Sequence, residues 1–218
     1  MRTLHRLAAV TTALVLGLSA CKDSTGNNNG GDGGLTDTSG SVSFQYAGFT
    51  AGSFATSGTA PTAVGNHPQF AAAQRDTAQG QAYIVLLGFQ QRATGRTDLI
   101  DLEMAEPAGP ATLSLADTCG TDTSIAGCAF AFVGLNWDLS TSSSLPDEQS
   151  YGVDAGSVQI TSVSSTRIRG TFSAHALDES GHAITISAGS FDVPFVHGNA
   201  FFNRSPAVSG PSLLRLHR

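Results

Sequence analysis

Three cysteines, six histidines and a block of acids are the parts of this 218-residue chain that could do chemistry. Cys119 and Cys128 stand with eight residues between them, in a stretch rich in Gly, Thr and Ser. That spacing suits a disulfide closing a surface loop, worth roughly 2–3 kcal/mol through the entropy it removes from the unfolded chain. A zinc site on the same two thiolates would need further ligands, and no His lies within forty residues of either sulfur. A redox pair favours the tighter Cys-x-x-Cys spacing. Between Arg96 and Arg167 there are ten acids and no Lys, Arg or His. Such a block is either a solvated acidic face or a divalent cation site, because hard cations take carboxylate and carbonyl oxygen. Asp101 and Glu103, two apart on an expected strand, are the metal candidates, although no stretch has the spaced acids of a calcium loop.

The passage from His175 through Asp178 and Glu179 to His182 invites an acid–base or metal reading. In the hairpin register derived below, His175 projects from a polar face and His182 sits at the mouth of the opposite one, so the two do not converge. His67 and His197 fall in loops without an evident carboxylate partner. There is no G-x-S-x-G nucleophile elbow and no H-E-x-x-H pair. No catalytic residue and no cofactor follow from these motifs. For glycan binding the stacking surfaces would be Tyr151, expected exposed in a polar loop, and Trp137 at a strand end. Tyr46 is a third aromatic, and core packing is the plainer reading of Trp137 and Tyr46.

The third cysteine has a different setting. Arg2 and Arg6 precede an uncharged apolar run from Leu7 to Leu18. As a helix this run would be roughly 18 Å long, too short for a ~30 Å hydrocarbon core but right for the apolar region of a secretion signal. It ends Leu18-Ser19-Ala20-Cys21, which resembles the bacterial lipobox. The resemblance implies acylation of the Cys21 thiol with diacylglycerol and cleavage just before it, leaving a chain held in the membrane by its acyl groups. Several acyl chains on one residue exceed what stable anchoring needs. From Lys22 to Gly40 the chain carries three consecutive Asn, six Gly and almost nothing apolar. Such a composition cannot offset its ordering entropy and is expected to form a flexible tether. Nineteen residues of this kind would average roughly 24 Å end to end.

Charge narrows the partners. Without the leader the chain keeps nine basic residues against seventeen acidic ones, a formal −8, and three of its arginines lie in the last fifteen residues. No basic patch could follow a phosphate backbone, which argues against nucleic acid. The expected address is outside the cytoplasm, on a membrane of the bacterial envelope, at the outer membrane or the cell surface. An oxidising compartment there also suits the Cys119–Cys128 pair.

The elements that must position these residues are strands. Apolar residues alternate in short runs cut by Gly, Ser, Thr and Asn, and no helical period is present. The reading divides the chain into a leader (1–20), the lipidated Cys21 with its linker (21–40), a β domain (41–203) and a tail (204–218). Val42, Phe44 and Tyr46 alternate on a first strand, and pairing Phe49 with Ser53 would place Gly48 opposite Phe54. Ala82–Phe89 and Ala129–Asp138 are apolar on both faces and read as central strands. Between them, Thr97–Met104 turns Ile100, Leu102 and Met104 inward and Leu99, Asp101 and Glu103 outward. Leu139–Gly156 reads as a polar loop. Ser157–Val163, Arg167–Leu177 and His182–Val193 form a meander, with Asp178 opposite His182 and a bulge at Gly189. Phe201-Phe202 is expected to close the core. Eight or nine strands of this spacing suggest an antiparallel β-sandwich, with a closed barrel as the alternative.

Residues 156–195, GSVQITSVSSTRIRGTFSAHALDESGHAITISAGSFDVPF, with the opening SGSVSFQYAGFTAGSFATSG, resemble uncharacterised bacterial lipoprotein β-domains. The resemblance covers about a third of the mature chain, is carried by strand and turn residues, and brings no functional residue with it. The function it leaves as an expectation is a non-catalytic envelope module that binds a protein or glycan. A structural role in envelope assembly through a sheet edge, and a hydrolase with a dispersed triad, are the alternatives.

Overall fold

A computed structural model describes residues 38–60, 69–78, 80–116, 127–139 and 145–196. Cys21, Cys119, His67, His197, Phe201-Phe202 and the tail lie outside the described residues. The described residues form ten strands: β1 (Ser39–Gly48), β2 (Gly52–Thr59), β3 (Phe70–Ala78), β4 (Gln81–Gln91), β5 (Thr97–Ala105), β6 (Ala111–Ala116), β7 (Cys128–Trp137), β8 (Gln149–Val163), β9 (Arg167–Leu177) and β10 (Ala183–Pro194). They make one sheet in the order β2-β1-β10-β9-β8-β6-β7-β5-β4-β3. The all-β expectation holds. The sheet curls into a nearly closed barrel rather than splitting into two layers, so the alternative architecture is the one adopted, with ten strands.

Closure depends on small residues where the ends of the sheet meet. The Ala71-Ala72-Ala73 run of β3 lies against β1 and the end of β10. Gly40 is pressed so closely that a Cβ there would fall 2.0 Å from the Ala71 carbonyl oxygen. Phe195 bridges Ala73 in parallel, and the Val196 N–H donates to the Ala73 carbonyl at 2.8 Å. Across the same seam the buried Thr56 hydroxyl of β2 donates to the Phe89 carbonyl of β4 at 2.5 Å. Arg75 ties one end of the seam together. It donates to Glu106 at 2.5 Å and to the Ser164 and Ser165 carbonyls, with its guanidinium 3.6 Å from the centre of the Phe195 ring.

Among the described strands one pair, β6 with β7, is parallel. β7 and β8 pair between Phe132–Leu135 and Gln149–Gly152. Beyond that they separate, and β6 fills the gap, antiparallel to β8 and parallel to β7 at Ser114 and Leu115. The inward side chains fill the barrel: Phe44, Phe54, Ile84, Leu86, Leu102, Val133, Ile160 and Ile184 belong to one continuous cluster of buried residues. A small barrel of this kind is a packed core rather than a container. Fully burying each large aliphatic side chain stabilises by about 1.5–3 kcal/mol.

Several local expectations change. β1 begins at Ser39, so the last two residues of the expected linker already pair with β2, Ser39 with Thr59 and Gly40 with Gly58. The β1–β2 register places Phe44, not Gly48, opposite Phe54. The two rings stack with centroids 4.8 Å apart, while β1 stays with β10 as far as Gly48 instead of turning early into β2. The expected loop before Gly156 is instead the first half of β8. The β9–β10 register is as expected, with the Asp178 N–H bonded to the His182 carbonyl and the bulge between Ile186 and Gly189, where Ala188 takes a φ of 50°.

Candidate functional site

Four connections meet at one end of the barrel: β1–β2, β4–β5, β7–β8 and β9–β10. Antiparallel pairing through β10, β9, β8, β7, β5 and β4 puts them there together. The centre of this end is Asp98, 1% exposed on β5. Its Oδ1 accepts from Arg92 Nε at 2.7 Å and from the Asn136 backbone N–H at 2.8 Å. Its Oδ2 lies 2.5 Å from Arg92 Nη2 in an ion-pair contact. Arg92 also donates to the Tyr46 hydroxyl at 3.3 Å. The hydrogen bond with Asp98 raises the Arg92 guanidinium above its ordinary value, against the lowering effect of burial. Tyr46 reaches this position because it lies over Gly52, where a Cβ would sit 2.6 Å from the hydroxyl.

Asn136 makes the second half of the cluster. Its left-handed conformation, φ 63°, turns the end of β7 so that its N–H meets Asp98. Its side-chain amide donates to Asp147 Oδ2 at 2.7 Å. Arg96 reaches Asp147 at 3.5 Å and Glu148 at 3.7 Å. Trp137, half-buried, donates from Nε1 to the Gln149 carbonyl at 3.1 Å and sits edge-on to Phe132.

Tyr151 is not a surface aromatic. It is the third residue of β8, its side chain points into the barrel, and it is 0% exposed. Glycines and polar neighbours give its surroundings the composition of a loop, but the strand's alternation turns it inward with Val153. Its hydroxyl donates to Gln149 Oε1 at 3.3 Å. Burial pushes the phenol up, with Asp178 and Tyr46 adding to the effect, so it stays protonated. The exposed aromatic of this end is one the sequence reading passed over. Phe49, 57% exposed, stacks on the His182 ring with centroids 3.8 Å apart and planes 11° from parallel. Its N–H donates to the Ala183 carbonyl, which anchors the β1–β2 turn over the β9–β10 turn.

The two histidines occupy separate pairs. His182 Nδ1 lies 2.9 Å from Asp178 Oδ2, and the other oxygen of Asp178 accepts the Ser180 and His182 N–H groups. Burial raises the Asp178 carboxyl, but these hydrogen bonds outweigh it and hold the group below its ordinary value. His175, on the outer face of β9, meets Asp154 Oδ1 at 2.7 Å across the β8 bulge. Among the described residues no serine hydroxyl is bonded to either ring, and no three His, Cys, Asp or Glu side chains converge on a metal position.

Asp101 and Glu103 point outward from β5 as expected, yet each is only 4% exposed. Their cross-strand neighbours are Leu87 and Phe132 for Asp101, and Val85 and Phe130 for Glu103. They sit in an apolar outer surface rather than in the solvated face expected of an acid block. Cys128 opens β7 beside Ser114. No protein family, no curated protein and no solved structure matches the chain.

Proposed function

We propose that this chain is an exported, lipid-anchored and non-catalytic β-barrel module, which contacts a ligand through the rim built by Phe49 and His182. The observation that carries the reading is the exposed Phe49–His182 stack above an interior filled by the barrel's own side chains. Exposed aromatic faces at a rigid rim supply contact area at little entropic cost, and they suit the flat C–H face of a sugar ring. The site is held on hairpin ends rather than on a long loop, which favours a preformed contact. The non-catalytic part rests on the locked state of the polar groups. Asp98 is committed to Arg92 and Asn136, Tyr151 is protonated in the core, and each histidine is oriented by its own carboxylate.

Anchoring through Cys21 and a disulfide between Cys119 and Cys128 belong to the same proposal. Both are supported by the order of leader, small residues and thiol, and by the spacing of the second pair. Assembly through a bare sheet edge is less well supported, because β2 and β3 meet at the seam. The test is a glycan-binding screen on full-length Cys21→Ser chain, followed by titration of each hit against Phe49→Ala. Loss of the aromatic face is expected to weaken binding at least tenfold, about 1.4 kcal/mol. A hit bound equally well by Phe49→Ala, or a panel with no hit, removes the glycan-binding rim from the account.

A further inference from the structure

The Phe49 ring is one end of a short relay that begins at a carboxylate. Asp178 Oδ2 lies 2.9 Å from His182 Nδ1, and the His182 ring lies flat against Phe49 with centroids 3.8 Å apart. Burial raises the Asp178 carboxyl, but hydrogen bonds from the His182 ring and from the His182 and Ser180 N–H groups outweigh it, so Asp178 is an anion at neutral pH. A carboxylate only accepts, which puts the imidazole proton on Nδ1. Building on the rim function proposed above, we infer the class of its ligand: the outer face of Phe49 takes a sugar that carries a free ammonium group.

Polarity of the stack favours a cation. An aromatic face carries the negative part of the ring quadrupole. The carboxylate at the edge of the imidazole pushes electron density into the ring behind Phe49, which deepens the negative potential on the phenyl's other side. A cation over such a face is held more strongly than a neutral C–H group. That face is open: Phe49 is 57% exposed, and His182 covers only its inner side. It is also fixed in place, because the Phe49 N–H donates to the Ala183 carbonyl at 2.8 Å. Charge at this end has the matching sign. The four connections carry five carboxylates, two of them Asp178 and Glu179 on the hairpin of the stack, against the guanidinium groups of Arg92 and Arg96. Arg92 is paired with Asp98, and Arg96 reaches Asp147 and Glu148. A negative field over the rim steers a cation toward it. Shape then selects a sugar. A pyranose ring covers an open phenyl plane and carries its ammonium at the border, whereas a lysine stem crosses only a strip of that plane.

The test titrates full-length Cys21→Ser chain at neutral pH with three probes. They are a cello-oligosaccharide hexamer carrying 6-amino-6-deoxy groups, the same hexamer with its amines acetylated, and hexalysine. The free amine should bind about tenfold or more tightly than the acetylated form. Asp178→Asn keeps an oxygen acceptor for the turn N–H groups and removes the charge, so it should cut that preference to about threefold or less. Raising the salt from about 50 to about 500 mM should narrow the preference in the unsubstituted rim, and this arm decides where Asp178→Asn does not fold. Equal affinity for the amine and acetylated forms, both weakened by Phe49→Ala, overturns the ammonium proposal and leaves the glycan-binding rim standing. Hexalysine bound as tightly as the amino sugar overturns it too. An amino sugar that does not bind, or that binds Phe49→Ala equally well, also overturns it, and the glycan screen then judges the rim separately.

Discussion

β9 and β5 are both inner strands of one sheet, and they are buried in opposite styles. Along β9 the residues alternate, with Ile168, Phe172, Ala174 and Ala176 inside and Arg169, Thr171 and Ser173 in water. Along β5 every residue from Thr97 to Met104 is buried, whichever way it points. The first pattern belongs to a sheet with one solvated face; the second belongs to a sheet covered on both. One barrel therefore has a wet wall, made by β8, β9, β10 and β1, and a dry wall, made by β3, β4, β5 and β7. Acids on the two walls consequently differ. Asp192 on the wet wall is shared by Arg167 and Arg169 at the surface, while Asp98, Asp101 and Glu103 on the dry wall are out of water.

The largest effect that separates the walls should come from side-chain truncation. Leu102→Ala, inside the dry wall, is expected to cost about 2–5 kcal/mol. Val85→Ala, on the outside of that wall, should still cost about 1–2 kcal/mol, because its methyls are buried too. Thr185→Ala, outside the wet wall, should stay within about 0.5 kcal/mol. Urea unfolding of the three variants checks the comparison, and a Val85→Ala as mild as Thr185→Ala would break it.

Next in size is Asp98→Asn. It leaves Arg92 without its charge partner, and breaking a buried pair of this kind costs about 3–5 kcal/mol, reduced to about 2–3 here because Arg92 is partly solvated. Asp192→Asn on the wet wall should cost less at neutral pH, and it sharpens the contrast through its pH dependence. Partial burial raises the Asp192 carboxyl, but hydrogen bonds from Arg167 and Arg169 outweigh it and hold it below its ordinary value. The folded value therefore lies below the unfolded one of about 3.9. The stability this group adds is complete above that pH and is lost as pH falls through the folded value. Asp192→Asn should flatten the acid limb of a stability profile measured from pH 5 down to pH 2, leaving stability above that limb lower than in the native chain.

The wet wall was the more legible in sequence. Alternation and the turn Glu179-Ser180-Gly181 agree on one register, so β9, β10 and the Gly189 bulge follow from residues close together in the chain. β4, β5 and β7 were also legible as strands, since their apolar runs are unmistakable. Their covered outer face was not, because Asp101 and Glu103 read as solvated and only tertiary packing could bury them. β8 was half hidden, because Gly152 and Gly156 and its polar residues gave Gln149–Gly156 the look of a loop. Tyr151 was misplaced with it. The seam was equally out of reach, for the meeting of Gly40 with Ala71 joins residues that no local pattern relates. At the candidate site the cross-hairpin pair Arg92 and Asp98 could have been found from the β4–β5 register. The pairing of His175 with Asp154 depends on a bulge, and the Phe49–His182 stack depends on two turns brought together by β1 and β10.

The claim on which the function rests is that one acylated sulfur sets the location of this barrel. Cell fractionation of the native chain beside Cys21→Ser tests it most directly. The native chain should sediment with membranes and the variant should move to the soluble fraction. A Cys21→Ser chain that still sediments with membranes, its leader processed as before, would contradict the account.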